Sequence, residues 1–341
     1  MANKKVTVIG STGSGKTCYL AGMYSLMSVG VKNFNVVAVD DSQNFNLIRL
    51  WSGMDKGSNR TMPAPSDQKD PYTFNLSHCF IPICDFDWLD YAGAALLDPS
   101  MGLIDEINES IHSSSCLLVL VDGTFFNVNT TTPEEYRSAV LRNLKNPGLS
   151  AEISRLSNLA SKGIHLPPII IVITKSDLIP QERASQLEDI LFEAFGSIFG
   201  KDSNAGKGSN PDRVVMIVAV SLGVGFADGS DMDPRNFEQP IGYAMLAILC
   251  NHIAPLYIRA IHENQGEIKK HTNLLTKWWY SGEIAAANQN LAELKELADK
   301  ISHDVFRLLD LFPEKKNVYV NGNRKDIHGY FRDVLRSLFS V

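Results

Sequence analysis

The sequence KVTVIGSTGSGKT, residues 5–17, decides the fold of this 341-residue chain. Residues 5–9 form an apolar run that is typical of a short buried strand. The pattern GxxxxGK[ST] follows at residues 10–17, and the apolar segment after it, residues 17–29, predicts a helix. A strand, a glycine-rich turn and a helix in this order predict a phosphate-binding loop, here called the P-loop (residues 10–17).

Each residue type in the P-loop has a chemical role. Glycines let the backbone wrap closely around phosphate oxygens, and successive N–H groups at a helix N-terminus bind anions. Lys16 is expected to contact the β- and γ-phosphates as a catalytic group, and the Thr17 hydroxyl to ligate Mg²⁺. The alternative is a chance Gly/Ser turn, against which the flanking strand and helix argue. The predicted nucleotide contacts of this loop are Gly10, Ser11, Gly13, Ser14, Gly15, Lys16, Thr17 and Cys18.

Strand and helix patterns alternate along most of the chain. Continuous apolar runs at residues 116–121, 169–173 and 214–220 are typical of parallel strands buried on both faces. Helical patterns lie between and around them. This alternation predicts an α/β fold, a doubly wound and mostly parallel sheet of the P-loop NTPase type. The predicted helices cover residues 102–112, 133–162 and 180–199, and a further strand and helix lie at 34–39 and 42–54.

The C-terminal part differs in character. We predict a P-loop nucleotide-binding domain over residues 1–263, which ends in a long apolar helix, and a mainly helical C-terminal extension over 264–341. Asn321-Gly322 predicts a hairpin turn between two short strands. The aromatic run at residues 278–280 is interpreted as packing of the extension, with insertion into a partner groove or membrane interface as the alternative.

Composition limits the partners and the compartment. The chain carries 32 Lys and Arg against 38 Asp and Glu, a net charge of −6, which argues against nucleic acid or an anionic membrane as the main partner. We find no apolar stretch of about 18 residues and no signal-peptide core, so no integral membrane segment is expected. Five scattered cysteines without zinc-ligand spacing indicate a cytoplasmic protein.

Three later motifs each follow a hydrophobic strand. They are Asp90-Tyr91-Ala92-Gly93, then Thr174-Lys175-Ser176-Asp177, then Ser221-Leu222. Together with the P-loop, and in this order over residues 5–225, they resemble the GxxxxGK[ST], DxxG, [NT]KxD and SA[KL] motifs of Ras-like and translation-factor P-loop GTPases. The resemblance implies binding of GTP and GDP with Mg²⁺, and GTP hydrolysis.

The motifs at residues 174–177 and 221–222 would recognise the base. Asp177 can accept hydrogen bonds from the N1–H and the amino group of guanine, whereas adenine offers neither donor there. The Lys175 stem can lie over the base plane, and the resemblance also implies base contacts from Thr174, Ser221 and the Leu222 backbone. A polar loop that merely caps a strand is the alternative for residues 174–177.

The remaining roles concern Mg²⁺ and the γ-phosphate. The resemblance implies that Asp90 holds Mg²⁺ through a water and that the Gly93 N–H binds the γ-phosphate, the alternative being an ordinary strand end. A switch threonine should also meet Mg²⁺. Thr61 is our first choice, as metal ligand and catalytic residue, and Ser66 the second; an uninvolved loop residue is the alternative for either.

Ala94 stands where many of these GTPases place the glutamine that orients the attacking water. A methyl group cannot polarise water, so we expect slow hydrolysis unless another residue or a partner supplies the group. Arg60 is a candidate arginine finger, although a solvent-facing role is favoured. The general layout also resembles a bacterial family called double-GTPases, which implies a partner GTPase and assembly with other proteins.

These motifs leave three functional interpretations. The leading one is a GTP-hydrolysing switch whose segments 57–70 and 93–101 respond to the nucleotide and are recognised by a protein partner, namely an effector, an activator or a second GTPase. A non-catalytic nucleotide-binding scaffold is the alternative, motivated by Ala94. A P-loop ATPase or kinase would require residues 174–177 to match the guanine motif by accident.

Overall fold

A computed structural model describes residues 4–55, 60–61, 63, 71–91, 104–200, 212–228, 230–271 and 281–339. The chain forms two compact units, Asn3–Ala244 with Asn317–Lys325, and Met245–Lys316 with Asp326–Val341. The division falls inside the long apolar helix, whereas the boundary predicted from the sequence lies near residue 264.

A mixed, mostly parallel sheet forms the centre of the first unit. Its order is β2-β3-β4-β1-β5-β6-β7-β8-β9 among the described residues. Strands β4, β1, β5, β6 and β7 pair in parallel, and the β2–β3, β3–β4 and β7–β8 pairs are antiparallel. The strands are β1 (Lys5–Ile9), β2 (Phe34–Ala38), β3 (Tyr72–His78), β4 (Ile81–Asp90), β5 (Cys116–Asp122), β6 (Ile169–Thr174), β7 (Val214–Ala219), β8 (Asn317–Val320) and β9 (Asn323–Asp326).

Helices follow most of the strands, so the α/β class predicted from the sequence is confirmed. The predicted helix over residues 133–162 is two helices, because Pro147 begins a new one and the Asn146 side chain caps it by accepting from the Gly148 N–H at 3.0 Å. The helices are α1 (Lys16–Val29), α2 (Asp41–Met54), α3 (Ile104–Ser113), α4 (Pro133–Asn143), α5 (Pro147–Ser161), α6 (Leu187–Ala194), α7 (Gly196–Phe199), α8 (Gly225–Asp228), α9 (Glu238–Ile248), α10 (Ala254–His271), α11 (Ser281–Leu309) and α12 (Ile327–Phe339).

The central strands form the core of the first unit. Every residue of β6 is buried, as are all residues of β5 except its last, Asp122. The continuous apolar runs that predicted these strands therefore reflect burial on both faces. This arrangement leaves the carboxyl ends of β1, β4, β5, β6 and β7 along one edge, where the predicted motifs follow.

The hairpin at Asn321-Gly322 extends this sheet. Both turn residues have positive φ, 49° and 77°, as a tight hairpin turn requires. β8 pairs with β7, and the Tyr319 ring packs against Phe192 and Phe199. The hairpin was predicted to belong to the C-terminal extension, because nothing in its local sequence indicates pairing with a strand far earlier in the chain.

The second unit is helical. Helix α10 packs with α11 and α12. The buried residues of this unit include Val305, Leu308 and Phe331. A π-helical turn, Leu249–Ile253, joins α9 to α10. The continuous helix over Glu238–Gly266 is the one helix in the described part of the chain that is long and apolar enough to cross a membrane by length and composition, which was not expected from the sequence. In its most apolar window, 61% is buried inside the structure, and a buried core helix passes the same test of length and composition.

Candidate functional site

The P-loop connects β1 to α1 and contains two glycines in a left-handed conformation. Gly13 and Gly15 have φ of 83° and 89°, which glycine adopts without steric cost. A Cβ on Gly10 would lie 2.6 Å from Ser14 Oγ and 3.1 Å from Leu120 Cβ, so the loop packs directly against β5. The predicted strand, loop and helix are therefore present with the glycines at the positions that need them.

Lys16 lies over the start of its own loop. Its Nζ donates to the carbonyl oxygen of Gly10 at 2.5 Å and to that of Ser11 at 3.4 Å. Burial lowers the pKa of Lys16, and Asp90 and Glu152 act in the opposite direction. The ammonium thus has backbone acceptors and two carboxyl groups in its surroundings.

Asp90 ends β4 next to Val8 of β1, two residues before the P-loop. Its side chain is buried, and Oδ1 has no hydrogen-bond partner. Burial raises the pKa of Asp90 to about 6, against the influence of Lys16. A buried oxygen without a donor beside a phosphate-binding loop fits a site for a hydrated cation.

Mg²⁺ fits the residues that are present. Thr17 lies in the first turn of α1, and Asp90 supplies the unpartnered oxygen. Among the described residues no group of three or more His, Cys, Asp and Glu could hold a metal ion. Mg²⁺ needs no such cage when nucleotide phosphates and waters supply its other ligands.

Thr174 and Lys175 contact the P-loop backbone. Thr174 Oγ1 donates to the carbonyl oxygen of Ser14 at 2.8 Å, and Lys175 Nζ donates to that of Gly13 at 3.0 Å. Lys175 Nζ also forms an ion pair with Asp122 Oδ2 at 2.6 Å. The loop after β6 therefore positions the P-loop, while contact of these two residues with a base stays a prediction.

Gly123 is a site residue that was not predicted from the sequence. A Cβ at this position would lie 2.2 Å from the carbonyl oxygen of Thr174 and 2.6 Å from that of Lys175. Only glycine lets the end of β5 approach the β6 loop this closely. Its signal in the sequence is a lone glycine after a strand, and such glycines are common in ordinary turns.

A cavity of about 160 Å³ joins the P-loop to the two predicted base loops. It brings together seven of the predicted nucleotide contacts, and its walls are otherwise apolar. Its lining residues are Gly15, Cys18, Tyr19, Thr174, Lys175, Asp177, Leu178, Val220, Ser221, Leu222, Phe226 and Phe237. A second cavity, of about 490 Å³, shares Asp177 and Ser221 but has no P-loop residue in its lining. The smaller cavity is therefore the candidate base pocket.

The aromatic wall of this base pocket was not predicted. Phe237 stacks on Tyr19 with ring centroids 5.4 Å apart, and its carbonyl oxygen accepts from the Tyr19 hydroxyl at 3.1 Å. A Cβ on Gly22 would lie 2.5 Å from the Phe237 ring, so a glycine in α1 makes room for it. Phe226 and Phe237 belong to none of the sequence motifs, and only folding brings them into the same pocket lining as Asp177.

Arg60 is partly buried and donates to backbone carbonyl oxygens. Its Nε donates to the carbonyl oxygen of Met54 at 2.8 Å, and its Nη1 to that of Gly225 at 3.0 Å. Further donations go to the carbonyl oxygens of Phe226 and Ser230, and the guanidinium lies 4.7 Å from the Phe226 ring. The favoured solvent-facing role was thus wrong, because these carbonyl groups satisfy the guanidinium.

Thr61 lies beside the end of α2. Its backbone N–H donates to the carbonyl oxygen of Gly53 at 2.9 Å, and the residue is exposed. Its role as Mg²⁺ ligand and catalytic residue stays a prediction. Gly93, Ala94, Ser66 and the aromatic run at 278–280 lie outside the described residues.

Glu152 is a buried carboxyl residue that was not predicted from the sequence either. It lies on α5 with 1% of its surface exposed, and neither carboxyl oxygen has a hydrogen-bond partner. Burial raises its pKa to about 8, against the influence of Lys16 and Arg155. A signal was available, because Leu149 and Leu156 place residue 152 on the buried stripe of an amphipathic helix, where a glutamate is unusual.

Similarity to known proteins does not establish what this site binds. No family model and no curated protein matches the sequence. A signal recognition particle receptor complex, SRb-GTP/SRX from Chaetomium thermophilum, is similar over 65% of this chain and 91% of that chain, with 14% identity and a TM-score of 0.34. A crystal structure of an SsGBP mutation variant is similar over 67% of this chain, with 12% identity and a TM-score of 0.29; the chain spans only 52% of that protein.

Similarities at these scores carry no weight beside the site itself. The fold is α/β with a mostly parallel sheet, consistent with a P-loop NTPase-like fold.

Proposed function

We propose that this chain binds GTP and GDP with Mg²⁺ and acts as a nucleotide-dependent switch that hydrolyses GTP slowly. The observation that carries the proposal is the shared lining of the base pocket, where Asp177 faces the same cavity as Gly15 and Cys18. A base in this pocket would place its phosphates on the P-loop.

Guanine suits the base pocket better than adenine. The Asp177 carboxylate accepts hydrogen bonds only, and the guanine edge offers two donors, N1–H and the amino group. Adenine would leave the carboxylate desolvated and unpaired, which costs several kcal/mol of binding free energy. Phe226, Phe237 and Leu222 supply apolar contacts for the faces of the base without distinguishing the two purines.

The phosphate end is prepared for anionic ligands. P-loop N–H groups at the start of α1 bind phosphate oxygens, and Lys16 exchanges its backbone acceptors for the β- and γ-phosphates. Thr17 and Asp90 would hold Mg²⁺, which neutralises charge on the phosphates when bound. Asp90 Oδ1 would thereby obtain the hydrogen-bond donor, a metal-bound water, that it lacks.

Competition binding tests the proposal. Fluorescent GTP is displaced by GTP, GDP or ATP in the presence of Mg²⁺, and we expect GTP and GDP to bind at least about 100-fold more tightly than ATP. Lys16→Ala should abolish binding, whereas Lys162→Ala, an exposed lysine on the same unit, should not change it. Equal affinities for GTP and ATP would exclude the guanine assignment and favour the ATPase interpretation.

A non-catalytic scaffold is the alternative function. Arg60 supports it, because its guanidinium donates to four carbonyl oxygens and is not available to the γ-phosphate. Single-turnover hydrolysis distinguishes the two functions. Turnover that Lys16→Ala abolishes excludes the scaffold, while tight GTP binding with no turnover, alone or with candidate partners, establishes it.

The partner and the compartment belong to the proposal as well. An effector, an activator or a second GTPase would recognise segments 57–70 and 93–101 in the GTP-bound form, and the cytoplasm is the proposed location. Affinity of a candidate partner for the GTP form over the GDP form is the corresponding measurement.

A further inference from the structure

Two tight turns, Lys32-Asn33 and Cys79-Phe80, lie side by side at the end of the sheet opposite the P-loop. The Cys79 N–H donates to the carbonyl oxygen of Asn33 at 2.8 Å, so a backbone hydrogen bond joins the two turns. We call residues 29–34 and 78–82, which contain both turns, the turn tip. All of its described contacts lie in the first compact unit.

The turn tip projects beyond the parallel part of the sheet. Strand β4 begins at Ile81, but it pairs with β1 only from Asp87 onward. Residues 81–86 therefore carry the β3–β4 hairpin past the start of this pairing by about 20 Å, at about 3.4 Å per residue. The turn tip is thus a convex projection and not the wall of a groove.

Three large apolar side chains of the turn tip are exposed to solvent. Phe80 and Val29 have 85% and 83% of their surface exposed, the highest values for large apolar residues in the described part of the chain. Ile81, next to Phe80, is 58% exposed. Single exposed apolar residues are common on protein surfaces, whereas a group of them on one projection indicates a contact surface.

The backbone at Phe80 makes this exposure more unusual. Cys79 and Phe80 have φ of 49° and 62°, in the left-handed region that a two-residue hairpin turn of this kind requires. Asparagine and glycine adopt this conformation more readily than a bulky side chain does. Packing inside the chain does not account for a phenylalanine here, because the ring is exposed. Contact with another molecule does.

A lipid interface fits the turn tip better than a protein surface. A specific protein interface buries about 800 Å² on each partner, and the turn tip offers three exposed large apolar side chains for such a contact. A bilayer interface needs no minimum area and no matching groove, because headgroups and acyl chains rearrange around a convex apolar projection.

Charge indicates which lipid. Lys32 is the one residue of segments 29–34 and 78–82 with a formal charge at neutral pH, so the turn tip brings no acidic group to the headgroups. The net charge of −6 on the whole chain opposes a strongly anionic membrane. Binding must therefore come mainly from apolar side chains, which zwitterionic lipid accommodates.

We propose that the turn tip binds the interface of a zwitterionic lipid bilayer by inserting Phe80, Ile81 and Val29 among the headgroups. The tip lies at the other end of the sheet from the P-loop, so lipid binding requires none of the proposed nucleotide contacts. Attachment of this kind is peripheral and reversible.

Sedimentation with lipid vesicles tests the proposal. The full chain is mixed with vesicles of phosphatidylcholine, alone or with added phosphatidylserine, and the lipid concentration that binds half of the protein is measured. Wild type is compared with Phe80→Asn and Val29→Asn. Phe45→Asn is the matched control, because Phe45 is 71% exposed on α2 and lies outside the turn tip. The melting temperature of each protein is measured without lipid.

We expect wild type to bind phosphatidylcholine vesicles, with less than about tenfold change on adding phosphatidylserine, since the turn tip has one positive charge. Phe80→Asn should need at least about tenfold more lipid, because it loses a large inserted side chain. Its melting temperature should equal or exceed that of wild type, since asparagine suits the positive φ. Val29→Asn should also bind more weakly, and Phe45→Asn should bind like wild type.

Tryptophan variants report insertion directly. After subtraction of the wild-type signal, the emission of Phe80→Trp should shift to shorter wavelength on addition of vesicles and should be quenched by brominated phosphatidylcholine. Phe45→Trp should show neither change. A turn tip that binds a protein groove would give the Phe80→Trp signal without vesicles or not at all.

Several results overturn the proposal. They are wild-type protein that sediments with neither kind of vesicle, equal lipid binding by Phe80→Asn and wild type, and an equal loss of binding in Phe45→Asn. A lower melting temperature of Phe80→Asn would show that the ring stabilises the fold instead. Loss of a protein partner by Phe80→Asn, with no vesicle binding by wild type, would assign the turn tip to a protein interface.

Discussion

Thr174 Oγ1 donates a hydrogen bond to the carbonyl oxygen of Ser14 at 2.8 Å, across 160 residues of sequence. The end of β6 is thereby joined to the P-loop. Lys175 adds a second link by donating to the carbonyl oxygen of Gly13. The loop expected to recognise the base and the loop expected to bind the phosphates thus form one hydrogen-bonded structure.

This link predicts a shared effect of Thr174→Val on stability and binding. Valine keeps the shape of threonine but leaves the Ser14 carbonyl oxygen without its donor. The free energy of unfolding should fall by about 1–3 kcal/mol, and the affinities for GTP and GDP should fall together. Urea unfolding and competition binding measure both, with Thr174→Ser as a control that keeps the hydroxyl. Unchanged stability in Thr174→Val would show that the hydrogen bond contributes nothing.

Gly123→Ala tests the contact between the end of β5 and the β6 loop. The new methyl group would meet the carbonyl oxygens of Thr174 and Lys175, and backbone atoms cannot move aside as a flexible side chain can. We expect a loss of about 1–3 kcal/mol in the free energy of unfolding, together with weaker nucleotide binding. Gly53→Ala in α2 is the matched control, because its Cβ would lie 3.7 Å from the nearest atom, an ordinary contact. An equal effect of the two substitutions would show that the close approach at Gly123 does not matter.

Arg60→Ala distinguishes a pocket residue from an arginine finger. Arg60 packs on Phe226, which lines the base pocket, so its loss should weaken GTP binding. At saturating GTP the hydrolysis rate should stay within about threefold of wild type, whereas loss of a finger lowers it by about 10³-fold or more. Arg137→Ala removes an exposed, ion-paired arginine and serves as control. A fall of about 10³-fold in the hydrolysis rate would instead show that Arg60 acts in catalysis.

The stability of the nucleotide-free protein should depend on pH through Glu152. Burial raises the pKa of this carboxyl from 4.5 to about 8, with Lys16 and Arg155 opposing the shift. The folded protein therefore binds the proton more tightly than the unfolded chain does. Proton binding by Glu152 therefore stabilises the folded state. This stabilisation is fully present below about pH 4.5 and is lost as the pH rises through about 8.

Glu152→Gln removes this dependence. Between about pH 5 and pH 8, wild-type protein should lose at least about 1.4 kcal/mol of unfolding free energy relative to Glu152→Gln, the equivalent of one pKa unit. Urea unfolding at several pH values provides the comparison. Parallel stability curves for the two proteins would show that Glu152 is not buried as a protonated acid.

Local sequence was sufficient for the elements with strong local signals. The run at residues 169–173 predicted β6 because a strand buried on both faces has apolar residues at every position. Gly13 and Gly15 could be placed because a phosphate-binding loop needs their positive φ. Asn321-Gly322 predicted its hairpin for a similar reason.

Features that depend on long-range contacts could not be predicted. Tyr319 pairs with β7 and packs against rings on α6 and α7, and Phe226 and Phe237 reach the base pocket only through the fold. The contacts of Arg60 could not be predicted for the same reason, since three of the carbonyl groups that bind it lie 165 to 170 residues away in sequence. Glu152 was detectable as a misplaced charge on an apolar stripe, but its proximity to Lys16 was not.

The most direct test of the central claim is the nucleotide preference of Asp177→Asn. An asparagine amide can donate to the C2 oxygen of xanthine, which replaces the guanine amino group, so the variant should lose affinity for GTP and gain affinity for XTP. Asp85→Asn, at an exposed aspartate of β4, should keep the wild-type preference for GTP. We predict a reversal of the GTP-to-XTP affinity ratio in competition binding. An unchanged ratio would show that Asp177 does not recognise the base and would contradict the assignment of this site to guanine nucleotides.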